Sequence, residues 1–551
     1  MLRFAKLATV LCLLVSGSVS SAHAACHGPA GLIHLGYAKH VPTTYYETPS
    51  GRNVSVYKNI RFANPPTGDL RFRLPNTTLP TVHGIQHGNV SEDLSTHCIS
   101  SMPASAPFPP YNGTTWGSED CLFLDVWVPQ DIKPGDKVPV LQWFVGGAYA
   151  FGSKEMFISP TGLFDIMGND TKFIFVANNY RYGKGSSDSI KRTKKLISCP
   201  RLGVSGWTYL PGEDLVANLG MHDCLAAAEW TSKYVNRFGG DSNRITAIGQ
   251  SAGAGIIGLL TVLNRGNVKL PFQQALISSP DIPPRRHPIE HQKRLFQMIL
   301  DEAKCASVEC LRHTPEATVR HLNDKFINGL VSDADAAGGG VFGPAPGFGP
   351  VVDGAFIPDI PVALFQKGRF NRGLRSLVIG NVANEGMGTS HDQGLPEYFP
   401  VMVRQILSTA SNKTLAEIES CYDFDDNPAK LAWDWTTDII FACNAANIAA
   451  AYQDRARRYI FTVPPAVHGQ DSSYYFYTDQ TMTPVQDINA ARTYQRNLLD
   501  FLHGHQFPWP IYGPGQQITN ITAGGFEVAA LPVPPQNAAT VTSQTPSMTA
   551  H

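Results

Sequence analysis

The chain has 551 residues, 43% of them hydrophobic and 16% charged, and its 44 Lys and Arg against 45 Asp and Glu leave a formal net charge of −1. That balance excludes the strongly basic footprint of a nucleic-acid binder and the apolar-poor, highly charged footprint of a disordered chain. With 49 Gly and 41 Pro, the composition describes a large, loop-rich globular protein solubilised partly by something other than ionised side chains.

At the N-terminus Arg3 and Lys6 flank an apolar run, Leu7 to Val15, that is shorter than the ~20 residues needed to span a bilayer. Ala22-His23-Ala24 then forms a small-x-small cleavage sequence. Residues 1–24 read as a secretory signal peptide, with the mature chain starting at Ala25 and no stable membrane span expected after it. Seven Asn-x-Ser/Thr acceptors, at Asn53, Asn76, Asn89, Asn112, Asn169, Asn412 and Asn520, agree with a secreted, extracellular glycoprotein whose glycans offset the low charge content. In that oxidising setting cysteines are expected to form bridges. No CxxC pair or HExxH sequence points to a metal, and neither a metal nor an organic cofactor is expected.

Further along, β-branched and aromatic runs alternate with longer amphipathic stretches. Strands are predicted over 54–62, 122–128, 138–145 and 172–178, then a helix over 214–237, a strand over 244–248 and a helix over 251–263. A strand at 272–277 and a helix at 288–304 follow. The rest comprises a strand at 375–379, helices at 415–421 and 429–452, a strand at 473–477 and a helix at 487–503. Such alternation predicts an α/β fold, a large mixed but mostly parallel central sheet flanked by helices on both faces. Periodicity fades after Trp509. Residues 25–530 read as a single domain, and 531–551, rich in Pro, Ser and Thr, as a disordered tail.

The strongest chemical signal is Gly249-Gln250-Ser251-Ala252-Gly253, between a strand-like run and a helix-like run. A serine on a tight strand-to-helix turn needs glycines two residues to either side, because a Cβ there collides with the neighbouring strand or helix. The turn exposes the Ser251 hydroxyl and aims the Ala252 N–H at a developing oxyanion. Upstream, the apolar strand ending at Val145 runs into Gly146-Gly147-Ala148, where the N–H groups of Gly147 and Ala148 can complete a three-donor oxyanion hole.

These features sit in a chain that resembles the type-B carboxylesterase/lipase family of α/β-hydrolases along nearly its whole mature length. The resemblance is carried by Arg61-Phe62-Ala63-Asn64-Pro65-Pro66, Ser118-Glu119-Asp120-Cys121-Leu122-Phe123-Leu124, Asn179-Tyr180-Arg181, Asn218-Leu219-Gly220, Phe238-Gly239-Gly240-Asp241, the segment Gly249 to Ala254, and Pro350-Val351-Val352-Asp353-Gly354. It implies an α/β-hydrolase fold and a serine ester hydrolase acting on small-molecule or lipid esters. It also implies Ser251 as nucleophile, Glu385 of Asn384-Glu385-Gly386 as the acid, and His468 of His468-Gly469-Gln470-Asp471 as the base. The chain order Ser, Glu, His is the one this fold requires. A non-catalytic binding module of the same fold normally lacks one of these three. Disulfides Cys98–Cys121, closing a flap, and Cys305–Cys310 match the family pattern. Cys421 and Cys443, flanking a predicted helical hairpin, are expected as a further pair, and Arg61 is expected to pair with Glu119 in a buried contact at the base of the flap.

Two departures stand out. Relatives commonly carry three glycines where this chain has Gly-Gly-Ala148, and the methyl is expected to narrow the pocket. Many relatives have Glu where this chain has Gln250, which is expected to lie behind the triad. The flap is short for a lipase lid, and its single Trp, Trp116, lies near its far end, unlike the tryptophan that cholinesterases place there for a quaternary ammonium. A general carboxylesterase is therefore favoured over a lipase. Finally, 184–203 is dense in Lys and Arg, and its removal rejoins the family pattern. It is read either as a retained intron translated in error or as a basic surface loop. Removing Cys199 with it, and Cys12 with the signal peptide, leaves an even number of cysteines.

Overall fold

The computed structural model describes residues 31–88, 94–102, 111, 113–181, 204–282, 289–327, 349–390, 398–407 and 410–530. An eleven-stranded sheet organises them: in chain order β1 (Thr44–Glu47), β2 (Asn53–Arg61), β3 (Phe123–Pro129), β4 (Val138–Phe144), β5 (Ile174–Asn178), β6 (Gly240–Gln250), β7 (Gln274–Ser278), β8 (Ser376–Val382), β9 (Ala456–Phe461), β10 (Gln517–Thr522) and β11 (Gly525–Ala530). Across the sheet the order is β11-β10-β9-β8-β7-β6-β4-β5-β3-β2-β1. The strands from β10 to β5 run parallel, and pairing becomes antiparallel at both margins. Every residue of β4, β5 and β7 is buried, which is why these segments read as near-continuous apolar runs.

Helices α1 (Leu219–Tyr234), α2 (Ala252–Leu260), α4 (Cys443–Tyr452) and α5 (Ile488–Leu502) pack on this sheet, and α3 (Pro428–Thr436) leads into α4. The sequence reasons are local. The Asp487 carboxylate caps α5 by accepting the N–H groups of Asn489 and Ala490, and Ala491, Tyr494, Leu498 and Leu502 form its buried stripe. Asn427 caps α3 in the same way, with Pro428 in the first turn.

The structure departs from the sequence expectations at several places. The aromatic run at 473–477 is not a strand but the short helix Ser472–Tyr475. Its rings are buried on all sides, so β-propensity is overridden by packing. The strand of this region is instead β9, whose Arg457 and Arg458 masked it. The weakly periodic C-terminus forms the hairpin β10–β11. The helix expected at 429–452 is present as α3 and α4, but the two are joined through a π-helical turn at Thr437–Ala442 that the sequence did not foresee.

Cys98–Cys121 and Cys305–Cys310 are bonded, with Cα separations of 4.8 and 5.5 Å. The expected Cys421–Cys443 pair is not bonded: both cysteines are free and exposed, and the Cys421 thiol donates to the Glu417 carbonyl. Cys224 is free and buried. The expected Arg61–Glu119 pair is also corrected. Arg61 grips the neighbouring Asp120 at 2.6 and 2.9 Å in a half-exposed contact. Glu119 turns inward to a bidentate contact with Arg71 at 2.7 and 2.6 Å, both side chains under 5% exposed. Arg71 follows a short 3-10 turn at Gly68–Leu70 that carries no periodic signal, and it also donates to the carbonyls of Leu311, Arg312 and Thr314. Among the glycosylation acceptors, Asn53, Asn76, Asn169 and Asn412 are exposed, and Asn520 is half-buried in β10. Asn89, Asn112, the signal-peptide segment, the segment 184–203 and the tail lie outside the described residues.

Candidate active site

β6 ends at Gln250 and α2 begins at Ala252, so Ser251 occupies the entire turn between them, with φ 59° and ψ −130°. That conformation is strained for a residue with a side chain and is held by its surroundings. The flanking glycines are dictated by contact. A Cβ on Gly249 would stand 2.7 Å from the backbone of Gly253, and one on Gly253 would stand 2.0 Å from the carbonyl oxygen of Phe144 in β4. The Ser251 N–H is tied to the carbonyl of Ser278 at the end of β7.

Two further strand ends converge on the serine. After β8, Asn384 bridges in parallel to Val467 in the loop after β9, which sets the Glu385 turn beside the His468 turn. Glu385 is fully buried; its Oε1 accepts the N–H of Val382, and its Oε2 lies 2.5 Å from His468 Nδ1. His468 Nε2 in turn lies 2.8 Å from Ser251 Oγ. The three residues singled out in the sequence, distant in the chain, thus form one hydrogen-bonded line. Burial by itself lowers the imidazole pKa, but the charge and hydrogen bond of Glu385, with the charges of Asp281 and Asp471 farther off, outweigh it and raise the pKa above the ordinary 6.5.

The line opens on a cavity of about 220 Å³ walled by Gly146, Gly147, Ala148 and Phe151 on one side and by Thr436, Ile440 and Phe441 on the other. Gly147 and Ala148 are both left-handed, with φ 118° and 51°, and a Cβ on Gly147 would meet the Phe151 carbonyl oxygen at 1.9 Å. Only glycine fits at 147, whereas the Ala148 methyl is tolerated and borders the cavity. Ala252 is the first residue of α2, where N–H groups have no intrahelical acceptor. Trp116 is absent from the described cavity wall; it packs against Tyr111 with ring centres 5.0 Å apart.

Some of the site was not foreseen. The π-helical turn carries Ile440 and Phe441, and the Phe441 ring lies 4.7 Å from the His468 ring. Such turns frequently occur at functional sites, but nothing in the apolar pattern marks one. Gln250 does not lie behind the triad. It lines the cavity, and its Nε2 is 3.1 Å from His468 Nε2. Asp471, three residues after His468, is fully buried and accepts hydrogen bonds from Ser278 Oγ and the Tyr459 hydroxyl, both at 2.6 Å; burial, then the charge of Glu385, drive its pKa up to about 6 against these bonds. Among the described residues no cluster of His, Cys, Asp and Glu has the arrangement of a metal site.

A strand-end serine, a glutamate turn and a histidine loop on a mostly parallel sheet define an α/β-hydrolase. The model of the carboxylesterase family matches residues 40–184 and 200–503, and the chain belongs to that family, whose members here include carboxylesterases and lipases; it is a carboxylic ester hydrolase. The match is interrupted within the basic segment singled out in the sequence. A carboxylesterase, patB, of Penicillium expansum is 28% identical over 528 residues, spanning 86% of this chain and 87% of its own. A secreted lipase of Arthroderma benhamiae is 29% identical over 368 residues, spanning 64% and 65%. The crystal structure of Aspergillus niger EstA superposes with a TM-score of 0.74 at 21% identity, covering 93% of this chain and 97% of that one, a likeness of fold.

Proposed function

We propose that the protein is a secreted serine esterase that cleaves carboxylic esters through an acyl-enzyme. The observation that carries this reading is the position of His468 Nε2, 2.8 Å from Ser251 Oγ, while Nδ1 is held 2.5 Å from a fully buried Glu385. Glu385 fixes the tautomer with its proton on Nδ1, leaving the Nε2 lone pair to accept the serine proton as Oγ attacks the ester carbonyl. The N–H groups of Gly147, Ala148 and Ala252 bind the oxyanion. His468 then returns the proton to the departing alcohol, and water, deprotonated by the same imidazole, releases the acid and restores Ser251.

A cavity of about 220 Å³ lies below the ~300–1,000 Å³ of sites for drug-sized ligands, and the Ala148 methyl borders it. Short-chain esters suit it better than long acylglycerols, which supports an esterase over a lipase. Secretion is supported by the N-terminal pattern, by the exposed glycosylation acceptors and by a relative that is a secreted lipase. Among the described residues no helix is long and apolar enough to cross a membrane.

The test is a hydrolysis panel of p-nitrophenyl esters from acetate to palmitate, with and without emulsified triglyceride, run on the parent and on Ser251→Ala and His468→Ala. Activity is expected to be highest on the short esters and to fall by about 10³-fold or more in either variant with the fold intact. Folded Ser251→Ala working at the parent rate would refute the assignment.

A further inference from the structure

Gln250 is the last residue of β6, and its amide is confined between two glycines that leave it room. A Cβ on Gly146 would stand 3.2 Å from its Oε1, and one on Gly469 would stand 3.6 Å from its Nε2. Among the described residues the side chain has a single hydrogen-bond partner, His468 Nε2 at 3.1 Å, the same atom that faces Ser251 Oγ at 2.8 Å. The direction of that bond follows from the far side of the ring. With Nδ1–H given to Glu385, Nε2 of the neutral imidazole has only a lone pair to offer, so the amide presents its N–H to it. One lone pair is therefore shared by two donors, the serine hydroxyl and the glutamine amide.

We propose that Gln250 is a positioning residue for His468: a second donor to Nε2 that holds the imidazole neutral in the free enzyme and reserves the proton taken from Ser251 for the leaving alcohol. This rests on the serine-esterase reading. Once Nε2 has accepted the serine proton, its N–H needs an acceptor. The amide N–H of Gln250 cannot serve, so the proton stays directed at Oγ and at the alcohol oxygen that replaces it as the acyl bond breaks. A carboxylate at the same place would accept that proton and compete with the leaving group. The other groups facing the ring are the carboxylate of Glu385 and the apolar ring of Phe441, and the charges of Asp281 and Asp471 act on it from farther off; all three carboxylates favour the imidazolium. Gln250 is the neutral donor set against them.

The test uses the full chain with Gln250→Met, which keeps the length without the donor, and Gln250→Glu, which is isosteric and supplies an acceptor. One readout is the acidic limb of kcat/KM against pH on a short p-nitrophenyl ester. The other, independent of turnover, is the titration of the low-field proton resonance of the His468 Nδ1–H. Both are expected to move to higher pH in the order parent, Gln250→Met, Gln250→Glu, by a few tenths of a unit and then by about one unit, which is about tenfold in rate below the limb. A merely structural glutamine lowers activity without moving either midpoint. A Gln250→Met midpoint at or below that of the parent, or an unmoved midpoint in Gln250→Glu, overturns the proposal. A parent that hydrolyses no ester overturns the serine-esterase reading, while the order of the resonance titrations still decides whether Gln250 sets the protonation of His468.

Discussion

Neighbouring residues Glu119 and Asp120 each grip an arginine with two hydrogen bonds, yet removing the two charges is expected to have very different costs. The Arg71 and Glu119 side chains are 4% and 3% exposed, whereas those of Arg61 and Asp120 are 28% and 43% exposed. In Glu119→Gln the amide keeps one acceptor but places N–H against the guanidinium, so Arg71 retains its charge in a buried site with no carboxylate partner, facing one amide oxygen, the carbonyls of Leu311, Arg312 and Thr314 and the Thr314 hydroxyl. Breaking a buried pair from one side costs about 3–5 kcal/mol, because the remaining charge is uncompensated; the carbonyl bonds place this case at the lower end, about 3 kcal/mol. Asp120→Asn loses a solvent-screened contact worth about 0–1 kcal/mol, and Arg61 keeps its stacking over Phe123 at 4.5 Å. The assay is urea unfolding of both variants and the parent, followed by tryptophan fluorescence at fixed pH and salt. At a common slope the midpoint of Glu119→Gln falls well below that of Asp120→Asn. Equal midpoints, or a larger loss in Asp120→Asn, would show that the inward and outward arginine pairs have been misassigned.

Glu385→Gln is expected to lower kcat by about 10³-fold or more with KM changed far less, measured on p-nitrophenyl acetate, since the amide can present N–H to Nδ1 and favour the wrong tautomer. Gly253→Ala is expected to abolish soluble expression or lower stability by more than about 3 kcal/mol, read by thermal melting, because its Cβ would stand 2.0 Å from the Phe144 carbonyl oxygen. For His468 the folded pKa is raised, so its imidazolium stabilises the fold below pH 6.5 and that contribution is lost as pH rises through the folded value; ester hydrolysis has the opposite dependence, rising as the imidazole becomes neutral. His40, buried at 6% exposure, has its pKa lowered to about 4 by burial. Stability is therefore lost as pH falls from 6.5 to 4, by on the order of 3 kcal/mol from this group. His40→Leu is expected to flatten that part of the stability profile, and an unchanged acid slope would refute the assignment.

The glycine spacing around Ser251 was legible in the sequence because its cause is local: within five residues the backbone must leave a strand, turn and enter a helix, and the close approach of Phe144 and Gly253 excludes any Cβ. Buried parallel strands such as β4 and β7 were legible for a related reason, since burial on both faces writes an unbroken apolar run. Glu385 and His468 were reached through the resemblance, not through periodicity, because an acid or a histidine in a loop carries no pattern of its own. Only the tertiary structure decided which arginine met Glu119, that Gln250 faced the imidazole, that a π-helical turn brought Phe441 to the cavity, and that the aromatic run at 473–477 became a helix. In each case the deciding contact comes from elsewhere in the chain. Such contacts are fixed by the packing of whole elements, where one residue more or less in a turn redirects a side chain, and a run of amino acids read by itself carries no record of its distant neighbours.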